Sequence, residues 1–190
     1  MKIDLHRLLQ DCGALLDGHF LLTSGRHSDR YIEKFRLLEQ PDALDKVATA
    51  MTEDVRPEDV DVVLGAAVGG ILIAGAVSRI LGRRTLFTER VSGVMTLRRG
   101  FSLAPGERVL VVEDIVTTGG SVLELLKVVE QARAQVAGVV CLVDRSAGGL
   151  DFDTPSNTLL RLPIATWDPD TCPLCRQGVP LSKPGRTGKS

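Results

Sequence analysis

Aromatic residues make up only 4% of the 190-residue chain, so its core must be built mostly from Val, Leu, Ile and Ala. An excess of one charge is missing too. With 23 basic against 24 acidic residues, composition offers neither a nucleic-acid surface nor a membrane-binding face. Long hydrophobic runs are absent: the longest apolar-rich segment, Ile71 to Leu81, is broken by Gly75 and Arg79 and is too short to span a bilayer. The start, Met1-Lys-Ile-Asp-Leu-His-Arg7, is charged and helical in pattern and does not read as a secretory signal. Without such a signal, the four cysteines read as reduced thiols of a cytoplasmic protein rather than as a disulfide framework. There is no internal repeat and no linker, and the length suits one α/β domain with a sizeable core.

What is present is concentrated in Val109-Leu-Val-Val-Glu-Asp-Ile-Val-Thr-Thr-Gly-Gly-Ser121. Four apolar residues lead directly into two carboxylates and then into a small, hydroxyl-rich turn. Beyond it Val122, Leu125, Leu126, Val129 and Val136 keep a helical apolar face. The pattern predicts a buried strand that ends at a site and feeds a helix. Ligands of open parallel sheets bind at the carboxyl ends of strands, which is where Glu113 and Asp114 fall. The turn offers backbone N–H groups and hydroxyls at a helix N-terminus, a natural phosphate cradle. The ligand should therefore carry a phosphate and, a few ångströms away, sugar hydroxyls, Mg²⁺ or both. No Gly-Lys-Ser/Thr ends the turn, which excludes a Walker-type loop. The first glycine comes too late after the strand for a dinucleotide fingerprint.

Along the chain, residues 2–12 read as a helix and 13–31 as a hairpin-like region. Pro41 opens a helix that ends near Arg56-Pro57. Strand Val60–Leu64, helix Ile71–Leu81 and strand Thr85–Thr88 follow. An irregular charged segment over 89–107 comes next, then strand Val109–Val112, helix Val122–Val136 and strand Gly138–Val143. The alternation predicts a parallel sheet with right-handed crossovers, flanked by helices. Beyond Asp151 the pattern weakens, and 183–190 reads as a mobile tail. Gly65-Ala-Ala-Val-Gly-Gly-Ile71, after the first core strand, is a second small-residue turn where backbone can approach an anion.

Glu113 to Ser121 resembles the phosphoribosyl-pyrophosphate (PRPP) signature of type I phosphoribosyltransferases. The resemblance implies that family's α/β fold, a central parallel sheet with a small N-terminal hood. Hood and base-binding segment would occupy 1–40 and the core 58–150 of a single domain. It implies PRPP contacts from Glu113, Asp114, Ile115, Val116, Thr117, Thr118, Gly119, Gly120 and Ser121, with Ala67 and Val68 in a pyrophosphate loop. Mg²⁺ would enter through PRPP with Glu113 and Asp114 nearby. The family carries a mobile loop over 88–100 that covers the neighbouring subunit's active site, implying a homodimer. Here Arg90 best matches the loop's basic position, with Arg98 and Arg99 also candidates for pyrophosphate, and no Lys or His lies between Thr85 and Arg108. Catalysis would rest on Glu113, Asp114 and Arg90.

Phe20 to Tyr31, centred on Thr23-Ser-Gly-Arg-His-Ser28, resembles the N-terminal segment of orotate phosphoribosyltransferases. That resemblance places Ser24, Gly25 and Tyr31 at the pyrimidine, Arg145 at the orotate carboxylate and Thr117 at the ring. Some relatives have Lys where Thr23 stands. The implied reaction joins PRPP and orotate to give orotidine 5′-monophosphate and pyrophosphate, in pyrimidine (UMP) biosynthesis. A purine-base transferase and a PRPP-sensing regulator without turnover are the alternatives on the same scaffold.

Cys172-Pro-Leu-Cys175 is a single Cys-x-x-Cys. Zinc usually takes four ligands, and His6, His19 and His27 lie far away in sequence, so a zinc site would need a second chain or Cys12. No thioredoxin-like strand–helix context surrounds the pair, which reads as structural or incidental thiols. Cys141, mid-strand, should be buried and inert.

Overall fold

The computed structural model describes residues 3–146 and 148–184. In chain order the elements are helix α1 (Leu5–Asp11), strands β1 (Leu15–Leu21) and β2 (His27–Ile32), helices α2 (Phe35–Leu38) and α3 (Pro41–Met51), strand β3 (Val62–Ala66), helix α4 (Gly69–Leu81), strands β4 (Arg84–Val91), β5 (Val94–Leu97) and β6 (Arg108–Val116), helix α5 (Gly120–Gln131), strands β7 (Gln135–Asp144), β8 (Ser156–Arg161) and β9 (Thr166–Trp167), and helix α6 (Pro173–Arg176). Six strands form the main sheet in the order β5-β4-β3-β6-β7-β8. All pair in parallel except β5, which returns antiparallel on β4. No helix among the described residues is long and apolar enough to cross a membrane.

The sheet is apolar on both faces because helices cover both. One face packs Val63, Leu110, Val112 and Leu142 against α3 and α4 through Val47, Met51, Ile73 and Val77. The other packs Val62, Leu64, Val109 and Val111 against α5 through Val122, Leu125 and Val129. Alternate residues of β6 therefore serve opposite cores, which is why Val109 to Val112 reads as an unbroken apolar run. β3 and β6 end side by side at the carboxyl edge, so the turns after them share one rim.

Several sequence expectations move. Residues 89–107 are not an irregular loop throughout. β4 continues to Val91 and pairs with β5 through a two-residue turn, Ser92-Gly93, with φ of 49° and 86°. Positive φ at both positions suits the right-handed twist of a hairpin. β6 runs through Glu113 and Asp114 to Val116, so the acids lie within the strand, not after it. α5 stops at Gln131: Arg133 adopts φ 56°, its N–H bonds to Glu130 O at 2.8 Å, and Val136 belongs to β7. α3 ends at Met51, ahead of Arg56-Pro57. Beyond Asp151 the chain is ordered into β8, paired with β7 from Val139↔Ser156 to Asp144↔Arg161. From residue 185 on, the expected tail lies outside the described residues.

The hood is not made by the N-terminus alone. β1 and β2 form an antiparallel hairpin, and β9, from the far end of the chain, adds to β2 through His27↔Trp167 and Ser28↔Thr166. Arg26 donates to Thr166 O and to Asp168 Oδ1, each at 2.8 Å, and Ser28 Oγ donates to Ala165 O at 2.8 Å. Ser182 completes the tie, its N–H bonding to His19 O and its carbonyl accepting from Leu21 N.

Candidate active site

Glu113 and Asp114 form the floor of a cleft of about 210 Å³ lined also by Lys34, Ala66, Ala67, Val68, Gly69, Arg90, Met95, Ile115 and Ser121. Both acids are buried, at 6% and 2% exposure, so each carboxylate requires a partner. Asp114 Oδ1 accepts from the Ile115 N–H at 2.6 Å, and Glu113 Oε1 accepts from the Asp114 N–H at 3.1 Å. Lys34 Nζ stands 2.6 Å from Asp114 Oδ2. The contact is an ion pair without hydrogen-bond alignment, and it leaves Oδ2 unsatisfied as an acceptor. Burial, and then the adjacent Asp114 charge, push the Glu113 carboxyl up to about 8. Two crowded carboxyls with one ammonium are short of positive charge. Their hard oxygen donors match a divalent cation such as Mg²⁺.

Lys34 carries no signal in the sequence. It stands where the chain leaves β2 and enters α2, and only the docking of the hood on the sheet brings it over β6. Gly69 and Gly65 explain how the wall comes so close. A Cβ on Gly69 would run into Asp114 Oδ2 and come within 2.9 Å of Lys34 Nζ, and one on Gly65 would run into Gly70 O. Gly65 and Gly69 are thus required by close approach within the protein itself. Ala67 and Val68 are joined by a cis peptide and line the cleft beside them.

The turn expected to cradle a phosphate lies next door. Glu113, Ile115, Val116, Thr117, Thr118, Gly119, Gly120, Ser121 and Val122 line one pocket. Gly119 precedes α5 with φ 79°, a left-handed conformation that closes the three-residue turn from strand to helix. The first N–H groups of α5 have no partner inside the helix, and Thr117, Thr118, Gly120 and Ser121 line this hollow at its start. Ser121 lines both pockets and joins cradle to cleft.

Of the three candidate arginines, the fold brings only Arg90 to the cleft lining. Its guanidinium contacts Glu124 at 3.0 Å and Gly93 O at 2.6 Å, tying the β4–β5 hairpin to α5. Arg99 instead pairs with Glu89 at 2.8 Å along the hairpin, and Arg98 is not in the lining.

Arg145 follows β7, its N–H donating to Val116 O at 2.8 Å, so it sits beside the end of β6. Its Nε is buried and has no hydrogen-bond partner among the described residues. Burial holds its pKa below the usual guanidinium range, an effect opposed by the neighbouring Tyr31 phenol. Tyr31 in turn is pushed up by burial and then by Glu33, against the pull of Lys34 and Arg145. Tyr31, Lys34 and Arg145 therefore form one electrostatic group under the hood. Ser24 and Gly25 stand apart, at the exposed tip of the β1–β2 turn, where Gly25 takes φ 82°. They do not line the cleft.

Comparison with known proteins agrees with this geometry. The family model described as "Phosphoribosyl transferase domain" matches residues 36–170. A protein of Thermotoga maritima named orotate phosphoribosyltransferase is 46% identical over 184 residues, covering 97% of this chain and 98% of that one. A protein of Desulforamulus reducens with the same name is 50% identical over 173 residues, covering 91% of each. The crystal structure of orotate phosphoribosyltransferase from Aeropyrum pernix superposes with a TM-score of 0.71 at 26% identity, over 83% of this chain and 93% of that one.

Proposed function

The chain belongs to the phosphoribosyl transferase domain family, and on that premise we propose that it transfers the 5-phosphoribosyl group from PRPP to orotate. The products are orotidine 5′-monophosphate and pyrophosphate, a step of pyrimidine (UMP) biosynthesis. Near full-length similarity to proteins named for this activity supports the substrate pair. Within the molecule, the observation that carries orotate over a purine is Arg145. A half-buried guanidinium whose buried Nε has no hydrogen-bond partner among the described residues, next to the Tyr31 ring, asks for a planar anion. A carboxylate on a flat base supplies one, and the guanidinium fork can grip it through two parallel bonds.

The proposed roles are these. Thr117 to Ser121 and the α5 N-terminus hold the 5′-phosphate, and Thr117 also reaches toward the base. Ile115 and Val116 supply backbone beside the ribose. Glu113 and Asp114 lie beneath the sugar, accept from its hydroxyls, and favour the positive charge that grows on the ring as the C1–pyrophosphate bond breaks. Ala67 and Val68 present backbone to the pyrophosphate, and Arg90 meets its charge as it leaves. Tyr31 and Arg145 hold orotate with N1 toward C1, and Ser24 and Gly25 are assigned to the same base segment. As the N1–C1 bond forms, the N1 proton of orotate has to leave, and the departing pyrophosphate, whose oxygen gains charge in the same step, is the base that takes it. Glu113 and Asp114 are the acids that would stand near Mg²⁺, which would supply positive charge to offset that of the departing pyrophosphate.

We place the enzyme in the cytoplasm as a single-domain homodimer. The hairpin that carries Arg90 exposes Val91 and Val94 beside Leu123 of α5. This apolar arm fits a second copy and would be shared between the two sites. The test is loss of orotate absorbance with PRPP and Mg²⁺ present. Folded protein that leaves orotate unchanged but turns over hypoxanthine or xanthine would move the assignment to a purine transferase. Tight PRPP binding with no turnover of any base would move it to a regulator.

A further inference from the structure

Outside the cleft, four side chains with nothing to do in phosphoribosyl transfer converge on one point. His19 of β1, His27 of β2, Cys172 and Cys175 each offer one ligand atom, and these atoms all lie within 4.8 Å of one another. His19 Nε2 is 3.0 Å from His27 Nδ1, 3.5 Å from Cys172 Sγ and 3.8 Å from Cys175 Sγ. Cys175 Sγ is 3.3 Å from His27 Nδ1. A tetrahedral zinc with bonds of about 2.0–2.3 Å sets its ligand atoms about 3.3–3.8 Å apart. The spacings here bracket that range before any ion has drawn the atoms in.

We propose that His19, His27, Cys172 and Cys175 form a structural zinc site that fastens the hood hairpin to the C-terminal segment. Three observations besides distance support it. His19 Nδ1 lies 2.8 Å from Val179 O. A carbonyl only accepts, so this nitrogen carries a proton, and Nε2 is the ring nitrogen left to offer its lone pair to the cluster. That outer-shell arrangement is the one that orients histidine ligands. His19, His27 and Cys172 are buried, at 2%, 5% and 0% exposure. Two thiolates and two neutral imidazoles around Zn²⁺ give a neutral centre that can stay there. Binding releases the two thiol protons and forms four bonds, with no change of oxidation state. Finally, the hood has little core of its own. β9 has two residues and α6 has four, and elements this short need a staple.

A plain histidine–histidine hydrogen bond would account for the 3.0 Å contact but not for two sulfurs at the same point. The completing ligands come from this chain, not from a second one and not from Cys12, whose thiol faces Gln40 Oε1 at 3.6 Å. His6, on α1, is outside the cluster.

The test is metal analysis of the full chain, expressed without a polyhistidine tag. About one zinc per chain is expected, along with a cobalt-substituted form whose visible spectrum has thiolate charge-transfer and tetrahedral ligand-field bands. Cys172→Ser and Cys175→Ser should each lower retained zinc at least tenfold after dialysis, whereas Cys12→Ser and His6→Ala should retain it in full. His27→Cys should keep the metal and intensify the charge-transfer band by adding a third thiolate. Folded wild-type protein that takes up neither Zn²⁺ nor Co²⁺ would overturn the proposal. So would a Cys172–Cys175 disulfide in freshly isolated protein, or zinc that survives loss of both cysteines. If a cysteine variant does not fold, the wild-type stoichiometry and cobalt spectrum decide. None of these readouts involves turnover, so they stand or fall apart from the orotate assignment.

Discussion

The floor of the cleft and the hood cluster are both tight polar groupings in a mostly aliphatic protein, yet they are built in opposite ways. The floor and cradle come from nine consecutive residues, Glu113 to Ser121, on one strand and the turn after it. The hood cluster draws His19 and His27 from one end of the chain and Cys172 and Cys175 from the other. A contiguous site is rigid by its own backbone: β6 is held by β3 and β7 on either side. The scattered site has no such scaffold, and its partners meet only because β9 pairs with β2. The first should therefore bind its ligand without refolding, and the second should gain order from its ligand.

That contrast can be broken most directly at the hood. Removing the metal with a chelator is expected to lower stability by about 4 kcal/mol, or roughly 8–16 °C in Tm. Addition of PRPP and Mg²⁺ should not restore it. A chelated protein with unchanged Tm would mean that the hood holds itself. At the floor, Asp114→Asn should lower kcat by roughly 10²–10³-fold while Tm shifts little, because the amide keeps an oxygen for the Ile115 N–H. A large loss of stability instead would make Asp114 a structural residue. Arg145→Ala should raise the orotate KM about 30-fold, the worth of about 2 kcal/mol for a charged hydrogen-bonded contact, with the PRPP KM nearly unchanged. Equal changes in both would remove Arg145 from the base site.

The smallest expected effect concerns Glu113 in the ligand-free protein. Its folded pKa, about 8, lies above the ordinary 4.5, so the native state binds a proton that the unfolded chain releases. Stability from this group is complete below about 4.5 and is lost as pH rises through 8. Glu113→Gln keeps the carbonyl that accepts from Asp114 N and abolishes the titration. At pH 8 the variant should be more stable than the parent, with no difference near pH 4. Parallel Tm-versus-pH curves for the two proteins would show that Glu113 is not held protonated by burial.

Where the sequence misled, the causes are local. Ser92-Gly93 between two valines was a hairpin turn hidden inside a charged stretch, and the dipeptide was its signal. The end of α5 carried none, because Arg133 takes the left-handed cap that glycine usually announces. β8 is half-exposed at the sheet edge, and its Ser-Asn-Thr-Leu-Leu-Arg has no clear period. Lys34 is an ordinary lysine until the hood folds over. Cys172-x-x-Cys175 looked two ligands short, although both missing histidines stood on adjoining strands of one hairpin.

By itself, the sequence determined the central strand, its acid pair, the glycine turns and the helices that follow. These depend on periodicity, on the absence of side chains at close approaches and on the order of neighbouring residues, all of which are local. Only the tertiary structure decided what lies above that floor: Lys34 against Asp114, Tyr31 beside Arg145, Arg90 rather than Arg98 or Arg99, and the four converging ligands of the hood. Those contacts join residues with no fixed spacing along the chain. They exist only once sheet docking and the β2–β9 pairing have closed the long loops between them.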